Sequence, residues 1–423
     1  VGRRTGSLVA AWQAVGWCHG VLNTDNMSVT GLTIDYGPFG FLDRYDPDFI
    51  SNGSDDSGRY DFKGQPEICR WNCEKLAEAV RAVLPEARGK RAITDAYDIA
   101  FRRTYRSIMR RKLGLATIAP AAASATSDSA AAAASAAAEE DGEEAAGDEA
   151  LAQSLLGVLE ETGADFTNTF RCLSRFPVPP PGTDPASPEA LGAGGVLDHI
   201  LGQLADAPTL AAAAAPRIPP PNLTMLAGLA QKNPDLLHQL GMSQQMLASE
   251  LARLRRHEAL LKVTPADKAE GDRARWSAWL AQYGARLQER VAAGRLDPEE
   301  RVRVMNATNP RFILRNWIAQ AAIERAEEGD FSEVARVYAL LRNPFSEASV
   351  EDLLAEALAE AAAAEAGSGG AVKDEGASSS AAAPAAPGEA AAAEAATGAS
   401  CVLPMYDGRP PEWAAKLCVT CSS

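Results

Sequence analysis

Positive charge is scarce in this chain. Its 41 Lys and Arg face 56 Asp and Glu, for a net charge of −15. That argues against general nucleic-acid binding, because a polyanion needs a basic face. One basic cluster exists, Arg102-Arg103, Arg106 and Arg110-Arg111-Lys112. With Tyr105 and Ile108 on the same helix it reads as a solvated amphipathic face, or else as a partner-docking element. No run is long and apolar enough to span a membrane. With no second Cys-x-x-Cys and no His pair at ligand spacing, a zinc site is not expected. Large apolar residues are nearly missing from Ala119 to Asp148, Leu173 to Pro221 is rich in Pro, Gly and Ala, and Ala359 to Ser400 repeats Ala, Glu, Gly, Ser and Pro. Such stretches bury too little apolar area to offset their conformational entropy. They are expected to be disordered or marginal insertions, with Ala-rich parts that flicker into helix.

What is present is concentrated near the start. His19-Gly20-Val21-Leu22-Asn23-Thr24-Asp25-Asn26 is followed by Ile34-Asp35-Tyr36-Gly37. Protein kinases carry His-Arg-Asp-x-x-x-x-Asn and then Asp-Phe-Gly. On that frame His19 keeps its place, Asn26 falls on the metal-binding Asn and Asp35 on the metal-binding Asp. Val21 occupies the position of the catalytic Asp and cannot accept a proton, while a new carboxylate, Asp25, stands directly before Asn26. Magnesium takes hard oxygen ligands, usually one or two carboxylates with phosphate and water. An amide at 26 and a carboxylate at 35 suit a divalent ion on a nucleotide. Leu32 and Ile34 read as a short buried strand leading into Asp35. His19 reads as a brace for the loop rather than a proton carrier, and His199, His238 and His257 as residues without a functional role.

The same runs, continued by Pro38-Phe39-Gly40-Phe41-Leu42-Asp43, Ser54-Asp55-Asp56, Gly58-Arg59-Tyr60, Gln65-Pro66 and Trp71-Asn72, closely resemble the selenoprotein O family. The resemblance returns at Met305-Asn306, Asn309-Pro310-Arg311-Phe312, Leu314-Arg315-Asn316-Trp317, Ala319-Gln320 and Gly329-Asp330-Phe331. It closes at Pro411-Glu412-Trp413 and Cys418-Val419-Thr420-Cys421-Ser422-Ser423. It implies a protein-kinase-like fold with pseudokinase motifs, here a mostly α kinase-like C-lobe with a family-specific helical C-terminal region and long disordered insertions. It also implies transfer of AMP rather than phosphate. ATP lies inverted, its α-phosphate facing a Ser, Thr or Tyr hydroxyl of a protein substrate, and pyrophosphate leaves. By the same resemblance Asn26 and Asp35 hold the nucleotide's magnesium or manganese, Asp25 is the candidate base, and the location is mitochondrial, with plastid or cytoplasm as alternatives.

Two departures stand out. The chain begins at Val1 within the helix before the loop, and a Gly-rich loop, strand Lys and helix Glu of a kinase small lobe do not appear. A C-terminal piece of a longer protein, inactive alone, is therefore expected. Secondly, the family's redox control pairs a Cys in the loop after Asp-Tyr-Gly with one near the C-terminus. Ser51 stands where the loop Cys is expected, with Cys69 and Cys73 as possible substitutes. In the tail, Cys418 and Cys421 form a Cys-x-x-Cys suited to redox chemistry. Cys421 matches the position of selenocysteine in eukaryotic relatives.

The folded parts read as helices: Ser7 to Cys18, Cys73 to Val83 with Leu76, Val80 and Val83 on one face, Thr94 to Leu113, a pair from Asn233 to Lys262, and Pro265 to Ala293 with Trp276, Trp279, Leu280 and Tyr283 in a core. Further starts lie at Asp297 and at Asp330, whose spacing to Glu333 suits a capping box. The organisation read from this is a catalytic-loop part over 1–118, an insertion over 119–150, a helix over 151–172, a Pro/Gly/Ala-rich linker over 173–222, a helical region over 223–358, a disordered linker over 359–400 and a redox tail over 401–423. Arg311 and Arg315 either pair with acids of the catalytic loop or cap helices. Three functions compete: protein adenylyltransferase, phosphotransferase of kinase-like fold, and non-catalytic redox-linked scaffold.

Overall fold

The helix that leads into the loop forms because small and apolar residues recur on one side of it. In the computed structural model, α1 runs Gly2–Val15 and buries Thr5, Gly6, Val9, Ala10, Trp12 and Ala14. It stops at Gly16, whose φ of 76° is the left-handed cap a side chain would resist. A Cβ at Gly6 would lie 2.6 Å from the Tyr97 carbonyl oxygen, so the missing side chain lets a neighbouring helix approach. The structure describes residues 1–116, 142–232 and 244–367 and, near the C-terminus, Tyr406, Gly408, Pro410, Pro411, Trp413, Ala414, Leu417 and Val419. These residues divide into two units, one of residues 1–43, 48–108 and 303–423, the other of residues 44–47 and 109–302. The fold is mostly helical, with fifteen α-helices among the described residues. No helix among them is long and apolar enough to cross a membrane.

In the first unit, β1 (Trp17–Cys18) pairs antiparallel with β2 (Gly40–Phe41), Trp17 opposite Phe41 and Cys18 opposite Gly40. This ribbon returns the chain past the loop. Helix α2 is Gln65–Ala79, with Pro66 in its first turn, where its missing N–H costs nothing. It begins eight residues before the expected start at Cys73, and Val80 and Val83 are exposed rather than on its buried face. The side that turns inward instead carries Cys69, Asn72, Cys73 and Ala77. With Val9, Trp12, Trp17, Leu22 and Tyr97 of α3 (Glu86–Lys112), Cys69 and Cys73 make one core. A second core gathers Phe312, Trp317, Ile318, Val337, Leu340, Leu353 and Tyr406. It is built on α13 (Asn316–Glu327), α14 (Ser332–Arg342) and α15 (Val350–Gly367). Asp330 accepts from the Ser332 N–H at 2.9 Å, but Glu333 does not complete a capping box. It is buried and takes hydrogen bonds from Arg336 (3.0 Å) and Tyr406 Oη (2.6 Å).

The second unit departs most from the reading of composition. Part of the expected insertion, Gly142 onward, belongs to α4 (Gly142–Thr162). There Asp148, its side chain fully buried, receives Arg110 Nε at 2.7 Å, Arg286 Nε at 2.9 Å and Arg290 Nη2 at 2.6 Å. Arg110 and Lys112 are therefore interior, not part of a solvated basic face, and Lys112 Nζ lies 4.1 Å from the ring centre of Phe170 on α5 (Phe166–Cys172). The expected linker over 173–222 is folded as well. It carries the short helices α6 (Pro188–Gly192) and α7 (Val196–Leu201), then α8 (Ala207–Ala214) and the start of α9 (Pro220–Lys232). Val196, Leu197, Ile200, Leu210, Ala211 and Ala214 are buried. Alanines also let α8 lie close to α10 (Gln244–Leu260), whose Arg253 donates to the carbonyls of Ala213 and Ala215 at 2.8 and 2.9 Å. Residues 233–243, where the helix pair was expected to open, lie outside the described residues, as do 117–141 and 368–405.

Helix α11 (Pro265–Ala292) is the spine of this unit, and the expected core residues Trp276, Trp279, Leu280 and Tyr283 are all buried. Their polar ends are satisfied: Trp276 Nε1 by Thr162 Oγ1 (3.2 Å), Trp279 Nε1 by Leu151 O (3.3 Å) and Tyr283 Oη by Leu113 O (2.7 Å). Helix α12 (Pro298–Thr308) starts as expected, Asp297 accepting from the Glu300 N–H at 2.8 Å.

Candidate functional site

The loop after β1 is held from behind by a histidine. His19 is fully buried; its Nε2–H donates to Ile34 O at 3.1 Å and its Nδ1 accepts from the Val21 N–H at 3.3 Å. That second bond sets the tautomer. Burial lowers the His19 pKa, so the ring is neutral where free histidine would begin to charge. Tyr36 stacks on it at 5.6 Å between ring centres. The His19 backbone N–H donates to Gln65 Oε1 at 2.9 Å, and Gln65 Nε2 donates to Trp17 O at 3.0 Å. A buried glutamine at the start of α2 thus joins both sides of the loop.

Asp25 and Asn26 ride on a 3-10 turn, Thr24–Asn26. Asn26 is buried and Asp25 is exposed. Asn26 Nδ2 donates to Val21 O at 3.0 Å and to Asp35 Oδ2 at 3.2 Å. Both amide hydrogens are thereby used, and no described protein donor reaches the amide oxygen, which is left to accept. The Ile34 N–H donates to Asn26 O at 3.0 Å, and Thr33 Oγ1 donates to the same oxygen at 2.7 Å. Asp35 then takes φ of 63°, the only positive value among described residues other than glycine. Left-handed backbone is uncommon outside glycine, and Asp and Asn tolerate it best. The turn brings the exposed carboxylate of Asp35 back beside Asn26. The structure therefore places the side chains of residues 26 and 35 in contact, with an amide oxygen and a carboxylate available to one hard cation. Among the described residues no group of three His, Cys, Asp or Glu side chains could hold a metal by itself, so an ion here would draw its other ligands from phosphate and water.

The strand expected before Asp35 is not a buried strand. Met27 and Thr33 form an isolated bridge, and Thr33 is the buried residue of its run. Leu32 and Ile34 are 64% and 56% exposed. The alternation was legible but its phase was not, because the polar Thr33 turns inward to bond Asn26 O.

Several bracing residues carried no role in the sequence reading. Asn72 Nδ2 donates to Leu22 O at 2.8 Å. Tyr60 Oη donates to Asn23 Oδ1, next to the turn that carries Asp25. The signal was a polar residue on an otherwise inward-facing side of α2. Arg315 Nη1 meets Asp43 Oδ1 at 2.7 Å, after the Asp-Tyr-Gly run and not in the loop itself. Arg311 Nη1 donates to Ala348 O at 2.8 Å.

Cys418 and Cys421 lie outside the described residues. Val419, between them, bridges in parallel to Asn52, and the Gly53 N–H donates to Val419 O at 2.8 Å. Ser51 beside this bridge is buried. Cys69 and Cys73 are in the core, where burial pushes both thiols up; it raises Cys18 to about 11.

Over residues 1–342 the chain matches a family described as Protein adenylyltransferase SelO. It is 41% identical over 426 positions to the mitochondrial protein adenylyltransferase SelO of Homo sapiens, covering 100% of this chain and 53% of that protein. Against the mitochondrial protein adenylyltransferase SelO-1 of Danio rerio the identity is 41%, over 99% of this chain and 54% of the relative. Against the protein nucleotidyltransferase YdiU of Burkholderia pseudomallei (strain 1710b) it is 33%, over 84% of this chain and 50% of the relative. The chain thus spans about half the length of the curated relatives it matches. A whole-chain identity of this size, together with a match through the loop, assigns the chain to the SelO family of protein adenylyltransferases.

Proposed function

We propose that the protein transfers AMP from ATP to hydroxyls of Ser, Thr or Tyr in other proteins, and that the loop in the first unit is part of a kinase-like C-lobe. The observation that carries the reading is the contact of Asn26 with Asp35 on a loop whose usual base position is Val21. Nucleotide-metal ligands are kept while the phosphotransfer carboxylate is not. Membership of a family whose relatives are named adenylyltransferases and nucleotidyltransferases supports the same chemistry.

In this reading the Asn26 amide oxygen and the Asp35 carboxylate hold the magnesium or manganese that accompanies ATP, and that ion supplies charge stabilisation at the phosphates. Asn26 stays oriented because both its amide hydrogens are committed to Val21 O and Asp35 Oδ2. His19 keeps the peptide before Asp35 fixed through its Nε2–H and transfers no proton in the reaction. Asp25, exposed one residue before Asn26, accepts the proton of the acceptor hydroxyl as it attacks the α-phosphorus; the bond to pyrophosphate breaks. Cys418 and Cys421 are the proposed redox pair of the tail, and the names of the vertebrate relatives support a mitochondrial location.

Incubating the protein expressed from its complete reading frame with ATP labelled at the α- or the γ-phosphate tests the proposal. Label reaching protein from the α position alone is expected. Label from the γ position would identify a phosphotransferase, and label from neither a non-catalytic scaffold.

A further inference from the structure

Close to the Asp25 turn lies a basic and aromatic surface that the proposed chemistry does not use. Trp71, on α2, is 39% exposed. The Arg59 guanidinium carbon lies 5.2 Å from its ring centre and Lys75 Nζ 5.0 Å. Arg59 also lies 5.7 Å from the Tyr60 ring. Cations over indole at these distances are attracted by the ring and held in place by it.

The surface is tied to the loop at two points. Tyr60 Oη bonds Asn23, two residues before Asp25, and Asn72, the neighbour of Trp71, bonds Leu22 O. Its charge is only partly compensated. The nearby carboxylate of Asp55 is occupied by the backbone N–H groups of Arg59 (3.0 Å) and Tyr60 (2.8 Å), and Arg59 makes no ion pair among the described residues. Lys75 shares Glu78 with Lys90, at 2.9 and 2.6 Å. Lys90 also meets Glu86 at 2.9 Å, so Arg59, Lys75 and Lys90 stand against two glutamates and the charge left over is that of Arg59, in a chain whose net charge is −15. A ring with cations already over it offers little face for stacking a nucleotide base, whereas its cations are presented to carboxylates.

We propose that Arg59, Trp71 and Lys75 form a docking platform for the acceptor protein, selecting segments that carry an acidic side chain close to the hydroxyl to be modified. The inference rests on the adenylyltransferase reading, and it gives that reading a substrate class. Arg59 and Lys75 engage carboxylates of the bound segment, Trp71 keeps both cations oriented, and the ties through Tyr60 and Asn72 set the segment's register against Asp25.

The test uses the protein from its complete reading frame and fluorescein-labelled peptide libraries centred on one Ser, with Glu or Lys fixed at each flanking position in turn. Anisotropy reads binding, and α-labelled ATP reads transfer. The Glu library is expected to bind more tightly. R59E should reduce that preference by up to about fivefold, as expected for exposed charge pairs, and K75E should act in the same direction. W71A should weaken the preference without charge reversal. The KM for peptide should move while kcat does not. Equal binding of the two libraries, or a Glu preference unchanged by R59E and K75E, overturns the platform. A Glu preference intact in binding with no α-label transferred to any peptide refutes the transferase reading and leaves the platform standing.

Discussion

Substituting Asp35 separates the chemistry of the loop from its backbone. The peptide before Asp35 is fixed by two hydrogen bonds, Ile34 N–H to Asn26 O at 3.0 Å and His19 Nε2 to Ile34 O at 3.1 Å. The φ of 63° that follows is therefore imposed by its neighbours. Asn tolerates this conformation nearly as well as Asp, so D35N should cost less than about 1 kcal/mol, chiefly through a weaker bond to Asn26. D35A places a Cβ residue with no local hydrogen bonding in left-handed backbone, at about 1–2 kcal/mol, and adds about 0.5 kcal/mol for the part-buried bond to Asn26 that is lost. The sum, about 2 kcal/mol, corresponds to a melting temperature lower by roughly 4–8 °C in a unit of this size. D35G relieves the backbone but adds chain entropy to the unfolded state, about 0.5–1 kcal/mol, and should fall between the two. All three remove the carboxylate, so all should lose AMP transfer by about 100-fold or more. Thermal unfolding and transfer from α-labelled ATP, measured side by side, decide the matter. Equal melting of D35A and D35N would show that the turn is not constrained. Transfer above about a tenth of the parent level in D35N would show that the Asp35 carboxylate is not a metal ligand.

Other parts of the molecule lend themselves to similar tests. D148N takes a buried charge away from three guanidinium groups and should destabilise the second unit by about 3–5 kcal/mol in denaturant unfolding, whereas E149Q on the same helix, at an exposed position, should stay within about 0.5 kcal/mol. His19 has its pKa lowered by burial, so the unfolded chain takes up this proton first. Stability from the neutral ring is then complete above about pH 6.5 and lost as the pH falls through the lowered value, because a proton on Nδ1 would oppose the Val21 N–H. H19N should flatten that acid limb of the melting-temperature profile. Lys112 is pushed down to about 7 by burial, although Phe166 and Phe170 offer their ring faces to the ammonium. Here the unfolded chain binds the extra proton between about pH 7 and pH 10, so stability should rise with pH across that window, and K112M should remove the slope.

The loop was legible because its chemistry is local. A histidine, an amide and a carboxylate at fixed spacing along one hairpin meet through the hairpin's own hydrogen bonds, so the chain order of residues 19, 26 and 35 already implies their contact. The tryptophans of α11 were legible for a similar reason, since a helical period places Trp276, Trp279 and Tyr283 on one side whatever packs there. Position 148 had no such signal. Its aspartate closes an Ala- and Glu-rich run that composition marks as unable to pack. Its importance comes from Arg110, Arg286 and Arg290, which only the fold brings to it. The basic run at the end of α3 was misread with it: three positive charges in a row look solvated unless the buried acid is already known. The stretch from 173 to 222 exposes the same weakness from the apolar side. Its Pro, Gly and Ala content drew attention away from Leu173, Phe176, Val196, Leu197, Ile200 and Leu210, all of which the fold buries.

These misreadings bear on how the site is built. Asn26 and Asp35, the proposed metal ligands, depend on local geometry, but the loop that carries them is braced by residues from elsewhere in the chain. Gln65 holds the His19 backbone, Asn72 holds Leu22, and Tyr60 holds Asn23, all from the segment between residues 60 and 72. That segment also presents Trp71 and, beside Tyr60, Arg59. One short stretch of α2 and the turn before it thus orients the groups that would hold the nucleotide's metal while displaying the surface assigned to the acceptor. A change there should therefore act on two readouts that a change at Asp35 does not join. N72A frees Leu22 O and should lower kcat by loosening the Asp25 turn. R59E leaves that hydrogen bond intact and should act on the acceptor's KM alone. If the two variants altered kcat and KM in the same proportion, bracing and docking would be one function, and the division of labour argued from Asn72 and Arg59 would fall.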